Sequence, residues 1–213
     1  MVSIFTWGAD SSVATFLAFS TTNVLAGRIW TVVTALFIHA NLAHLVGNML
    51  FLYVFGNTLE NVVSGRNVLI AFFAGGIATS ILSMPFYPVD TLLVGASAAI
   101  FTLAAAVMLI KPYKFSWLFL LPTGLVAIVY FLYNVVAVYR GFSGEVAYIS
   151  HVIGFLIGIP IGISWSPRWM RNLVVTLVLL VTYLIMIVFI APTILEVVDK
   201  TLTLDLSSPT NIK

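Results

Sequence analysis

Apolar residues run in long blocks along the chain, and the few charged residues fall mostly between those blocks. A run of about 20 apolar residues is what a helix needs to cross the hydrocarbon core of a bilayer. The pattern predicts six spans, at roughly 41–59, 67–84, 93–110, 115–138, 147–165 and 172–194, bounded by stretches such as Ser64-Gly65-Arg66 and Lys111-Pro112-Tyr113-Lys114. Helices are preferred over strands because a helix satisfies its backbone within one segment, whereas a barrel would show short alternating strands. The expected fold class is all-α, a polytopic transmembrane helical bundle.

The two ends depart from this pattern. Met1 to Trp7 is apolar but stops at Gly8-Ala9-Asp10, and Val13 to Phe19 is too short and too rich in Ser to cross. No basic region precedes them, so neither resembles a cleavable signal. Residues 8–38, with Trp30 and Phe37, suit an interface better than a span. A segment of that length without a span is usually functional or disordered. The stretch from Glu196 to Lys213 is polar and reads as a flexible tail. The expected organisation is a membrane core over 1–171, one further helix over 172–194 and a polar tail over 195–213.

Composition narrows the function. The chain is 62% hydrophobic and 8% charged, against roughly 25% charged in an ordinary soluble domain, which excludes a water-soluble globule. A net charge of +2 gives no ground for a nucleic-acid partner. Cysteine is absent, so disulfides, thiolate metal sites and thiol nucleophiles are excluded. Any covalent nucleophile must be Ser, Thr or Lys. Arg66, Lys111, Lys114, Arg168 and Arg171 fall in connections that share one side, while Arg28 and Arg140 fall on the other, where the tail adds Lys200 and Lys213. The positive-inside bias makes the first side cytoplasmic.

Polar groups inside the spans then stand out, because burying them in hydrocarbon costs several kcal/mol without a partner. At about 1.5 Å per residue, Ser97 lies about 21 Å and His151 about 25 Å from the cytoplasmic ends of their spans, and His44 and Asn48 about 24 and 18 Å. Similar depth on three spans predicts one polar pocket open to outside water. His44 and Asn48 share a helix face, as do His151, Gly154 and Gly158. The stripe Gly154, Gly158, Gly162 lets another helix approach closely, and the candidate is the one holding Gly95-Ala96-Ser97 and Ala104 to Ala106. A hydroxyl beside an imidazole is a nucleophile beside its base. The Ser97 N–H, the Asn48 amide and a His44 N–H are donor types an oxyanion would need. Asp90 and Glu145 fall in outer loops, so the reading is a Ser/His dyad without an orienting acid.

These residues match a family pattern: the chain resembles the rhomboid intramembrane serine proteases. The resemblance runs from about 19 to 165 and rests on Trp30 with the stretch to His39, His39-x4-His44-x3-Asn48, Gly56-x3-Glu60 with Gly65, Gly95-Ala96-Ser97, and His151-x2-Gly154-x3-Gly158. It implies Ser97 as nucleophile, His151 as base, His44 and Asn48 as oxyanion donors, and His39 with Gly95 as supporting residues. It also implies a membrane-embedded first loop before the 41–59 span, an extra carboxyl-terminal helix at 172–194, and an earlier helix of which Met1 to Trp7 would be the truncated end. Thr31 stands where the family usually has Arg, and Ala98 where it often has Gly.

The expected function is cleavage of transmembrane segments of other membrane proteins, in a cell membrane, at a site facing the extracytoplasmic side, with lipid around it and no cofactor. The loop Arg140-Gly141-Phe142-Ser143-Gly144-Glu145 is a candidate lid. The main alternative is a catalytically silent rhomboid-like protein that binds membrane clients, although such proteins commonly lack the Ser or the His. A transporter would carry polar groups down both halves of the bundle, and a metal site is disfavoured by the His39-x4-His44 spacing and the lack of accompanying acids. Asn134 and Glu60 read as structural.

Overall fold

The computed structural model of the protein describes residues 11–142 and 146–193. The expectations for Met1 to Trp7, for the centre of the Arg140 to Glu145 loop and for the tail from Glu196 lie outside the described residues. The amino-terminal segment folds as α1 (Ser11–Leu17), α2 (Thr21–Leu25) and α3 (Thr31–Thr34), followed by a 3-10 turn at Ala35–Phe37. With 7, 5 and 4 residues, none approaches the length that a membrane crossing needs. An antiparallel bridge between Phe19 and Leu93 pins this segment to the stretch that leads into Ser97.

Six longer helices follow: α4 (Leu42–Val63), α5 (Gly65–Ser83), α6 (Ser97–Ile110), α7 (Thr123–Tyr139), α8 (Tyr148–Trp165) and α9 (Trp169–Ile185). Four segments, Leu42–Val63, Gly65–Phe86, Tyr148–Trp165 and Trp169–Thr193, are long and apolar enough to cross a membrane. The chain is thus a multi-pass helical bundle. The expectation of six full spans needs correction for two of them. Helix α6 has 14 residues and α7 has 17, because the apolar runs at 93–96 and 115–122 are not helical. Leu93 is engaged in the bridge to Phe19 and Gly95 has φ +108°, outside the helical region. Phe115–Ser116 and Leu121–Pro122 pair as a small antiparallel hairpin, β1 and β2, and Pro122 ends it at the start of α7.

Helix α6 is the pillar of the core, with every residue from Ala99 to Ile110 buried. The glycine stripe of α8 lies against it. A Cβ at Gly154 or Gly158 would run into the Ala98 or Thr102 carbonyl, and one at Gly162 would stand 3.0 Å from the Ala106 Cα. Thr102 Oγ1 donates to the Gly154 carbonyl at 2.9 Å, which ties the two backbones together. The last carbonyls of a helix have no intrahelical donor; Asn172 of α9 donates to those of Leu109 and Ile110 at 2.8 and 3.1 Å. The described residues form two units that part between Thr176 and Leu177, and everything below concerns the first.

Candidate active site

Ser97 is the first residue of α6, and the reason it starts there is Gly95. Its φ of +108° strains any residue with a side chain, and a Cβ would stand 2.8 Å from the His44 ring. With the Gly95 N–H donating to the Ala35 carbonyl at 2.9 Å, the chain turns sharply into the helix. The serine two residues on is left half-buried at the edge of a cleft. The Gly-x-Ser spacing therefore has a geometric cause.

The Ser97 Oγ lies 2.7 Å from His151 Nε2. His151 is buried in the first turn of α8, brought close by the glycine stripe below it. Its other ring nitrogen, Nδ1, lies 2.7 Å from Asn134 Oδ1, and the Asn134 Nδ2 donates to the Tyr130 carbonyl at 2.8 Å. Phe101, one turn after Ser97, stacks on the imidazole with centroids 4.7 Å apart and planes at 10°. Tyr130 stacks on Phe101 in turn, with centroids 5.0 Å apart. The sequence reading of Asn134 as structural missed its contact with His151. The available signal was its place as a lone amide in the apolar run of α7, where a buried amide needs a partner.

The facing wall comes from α4. Asn41 caps that helix, its Oδ1 accepting the His44 N–H at 2.8 Å, and this start sets the face shared by His44 and Asn48, one turn apart. Both side chains converge on Gly95: the position of a Cβ there lies 2.8 Å from His44 Nε2 and 3.5 Å from Asn48 Nδ2. Asn48 is 6% exposed, and its buried Nδ2 has no hydrogen-bond partner among the described residues. A buried donor without an acceptor is uncommon in a folded protein and calls for an explanation. The cleft between these walls measures about 270 Å³ and is lined by His44, Asn48, Phe51, Ser97, Tyr130 and His151, among others.

His39 stands behind this wall. It is buried and packs edge-to-face on His44 with ring centroids 5.1 Å apart, outside the cleft lining. Burial first, and His44 second, lower its imidazole from 6.5 to about 4. Thr31 is fully buried and donates to the Arg28 carbonyl at 2.8 Å. Asp90 accepts from Thr22 Oγ1 at 2.6 Å, tying the first loop to the segment before Ser97.

The family model described as "Rhomboid domain" matches residues 26–168. Rhomboid-like protease 3 of Toxoplasma gondii is 29% identical over 160 residues, which cover 68% of this chain and 57% of that protein. Rhomboid-like protein 11, chloroplastic, of Arabidopsis thaliana is 37% identical over 79 residues, 37% of this chain and 28% of that protein. The rhomboid protease GluP of Bacillus subtilis (strain 168) is 31% identical over 104 residues, 47% of this chain and 20% of that protein. Each match covers less than two thirds of the relative's own length. The matched domain contains Ser97, His151, His44, Asn48 and the helices that carry them, and the chain belongs to the rhomboid family.

Proposed function

We propose that the protein is an intramembrane serine endopeptidase that cleaves transmembrane segments of other membrane proteins through Ser97 and His151. What carries the reading is the 2.7 Å hydrogen bond between Ser97 Oγ and His151 Nε2 at the edge of a polar cleft. In the first step Oγ attacks the scissile carbonyl carbon while its proton passes to Nε2. The negative charge that develops on the carbonyl oxygen needs preorganised donors. The Asn48 Nδ2, without a partner among the described residues, a His44 N–H and the Ser97 backbone N–H at the helix start are the donors at hand. The imidazolium then returns the proton to the leaving amine, the C–N bond breaks and an acyl-enzyme remains. Water attacks the ester with His151 again as base, which frees the acid product and Ser97. Gly95 and His39 support the wall that holds His44.

The basic residues at the opposite ends of these helices, Arg66, Lys111, Lys114, Arg168 and Arg171, favour a cleft that opens on the extracytoplasmic side. The test is a gel assay with a single-span reporter substrate in detergent or liposomes. Wild type cuts it, and Ser97→Ala and His151→Ala do not. Cleavage by both variants at the wild-type rate would contradict the assignment. A correctly folded wild type that cuts no membrane substrate would favour the client-binding alternative instead.

A further inference from the structure

We infer that Asn134 is a positioning residue that fixes the tautomer of His151 and so makes its Nε2 the base; this rests on the proteolytic reading of the site. A neutral imidazole carries one N–H, and the hydrogen bond made by one ring nitrogen decides which nitrogen holds the proton. An asparagine amide is directional too, and its orientation is read from its partners. The end of Asn134 that faces Tyr130 meets a backbone carbonyl, at 2.8 Å, which can only accept. That end is therefore the NH2, and the end 2.7 Å from His151 Nδ1 is the carbonyl oxygen. An amide oxygen only accepts, so Nδ1 carries the proton. Nε2 is left bare, and at 2.7 Å from Ser97 Oγ it accepts the hydroxyl proton.

A chain of donor directions thus runs from the Tyr130 carbonyl to the nucleophile. Flipping the amide would set oxygen against oxygen at Tyr130 and turn Nε2 into a donor, unable to take the Ser97 proton. Water offers no easy substitute, since Asn134 is 1% and His151 5% exposed. Tyr130 acts twice, because its ring backs Phe101, which backs the imidazole. The arrangement also needs no rearrangement during the reaction: Nδ1–H donates to the same oxygen in the neutral and the protonated ring. A neutral amide adds no countercharge, so its contribution is to direction and ring placement.

Two measurements test this. In wild type with 15N-labelled histidine rings, NMR is expected to show His151 protonated on Nδ1 and bare on Nε2. In Asn134→Leu the ring should populate both tautomers, and kcat should fall by about 100-fold with KM within about twofold of wild type. A purely structural role would change the amount of folded protein and leave the tautomer alone. A wild-type ring protonated on Nε2, or a folded Asn134→Leu with kcat within about threefold of wild type, would overturn the inference. If Asn134→Leu does not fold, the wild-type tautomer decides by itself. That reading needs no substrate, so it stays separate from the outcome of the cleavage assay.

Discussion

The two ends of α6 press against the same partner, α8, and are built from different materials. At the Ile110 end the contact is apolar, with Gly162 seated on Ala106 and Leu109, and the final carbonyls closed by Asn172. At the Ser97 end the contact is a run of hydrogen bonds from Ser97 through His151 to Asn134, beside a cleft and an amide donor with no partner among the described residues. Between them lie Gly154, Gly158 and Thr102, where backbone meets backbone. Close packing along most of the helix lets its first turn hold Ser97 in a fixed place against His151. A serine and a histidine from separate helices need such registration, because a misplacement of about 1 Å can cost about 100-fold in rate.

Substitutions along this axis should separate the two materials. The largest effect is expected from Gly158→Leu, whose side chain would enter space held by the Thr102 carbonyl and the Ala105 methyl. Overpacking there should cost about 3 kcal/mol or more, read as a fall in the thermal unfolding midpoint in detergent. An unchanged midpoint would mean that the helices are not in contact at this level.

Asn48→Ala should do the reverse, lowering kcat by about 100-fold with little change in midpoint, because its Nδ2 has no partner to lose among the described residues. Loss of stability at unchanged kcat would make Asn48 structural. Asn172→Leu frees the Leu109 and Ile110 carbonyls and should cost about 1 to 2 kcal/mol. Cleavage per folded molecule should stay at the wild-type rate, and a slower rate would show that the capped end also tunes the site.

The smallest effect concerns His39 and pH. Its imidazole is held at about 4 against an ordinary 6.5, so the unfolded chain takes up a proton in that window before the folded one does. Stability from keeping this ring neutral is complete above about 6.5 and is lost as pH falls toward about 4. His39→Gln should flatten the decline of the unfolding midpoint over that interval relative to wild type. An equal decline in both proteins would assign the pH dependence to other groups.

The apolar runs of the sequence show where the six helices lie, because a membrane helix must be apolar over most of its length. They do not show where α6 and α7 begin. Leu92 to Val94 and Leu118 to Leu121 are as apolar as a span, and only Gly95 and Pro122 mark that the chain there is extended or turning. In the site, the face shared by His44 and Asn48 and the glycine stripe beside His151 follow from helical spacing alone. The pairing of that stripe with α6 follows from the small residues on both sides. Asn134 stands out in the sequence only as an amide in need of a partner; which partner is not legible, because an asparagine bonding back to the carbonyl one turn earlier has an ordinary structural reading, and its other contact crosses to a different helix. Phe101 was hidden for a related reason: in a helix rich in apolar residues, nothing distinguishes the ring one turn after Ser97 until the imidazole is placed beside it.

The claim on which the rest depends is that His151 activates Ser97. The most direct measurement is intact-mass and peptide mapping after treatment with a fluorophosphonate, comparing wild type with His151→Ala. The account predicts a single adduct on Ser97 in the wild type and its loss when the imidazole is removed. An adduct that forms equally well without His151, or on a residue other than Ser97, would contradict it.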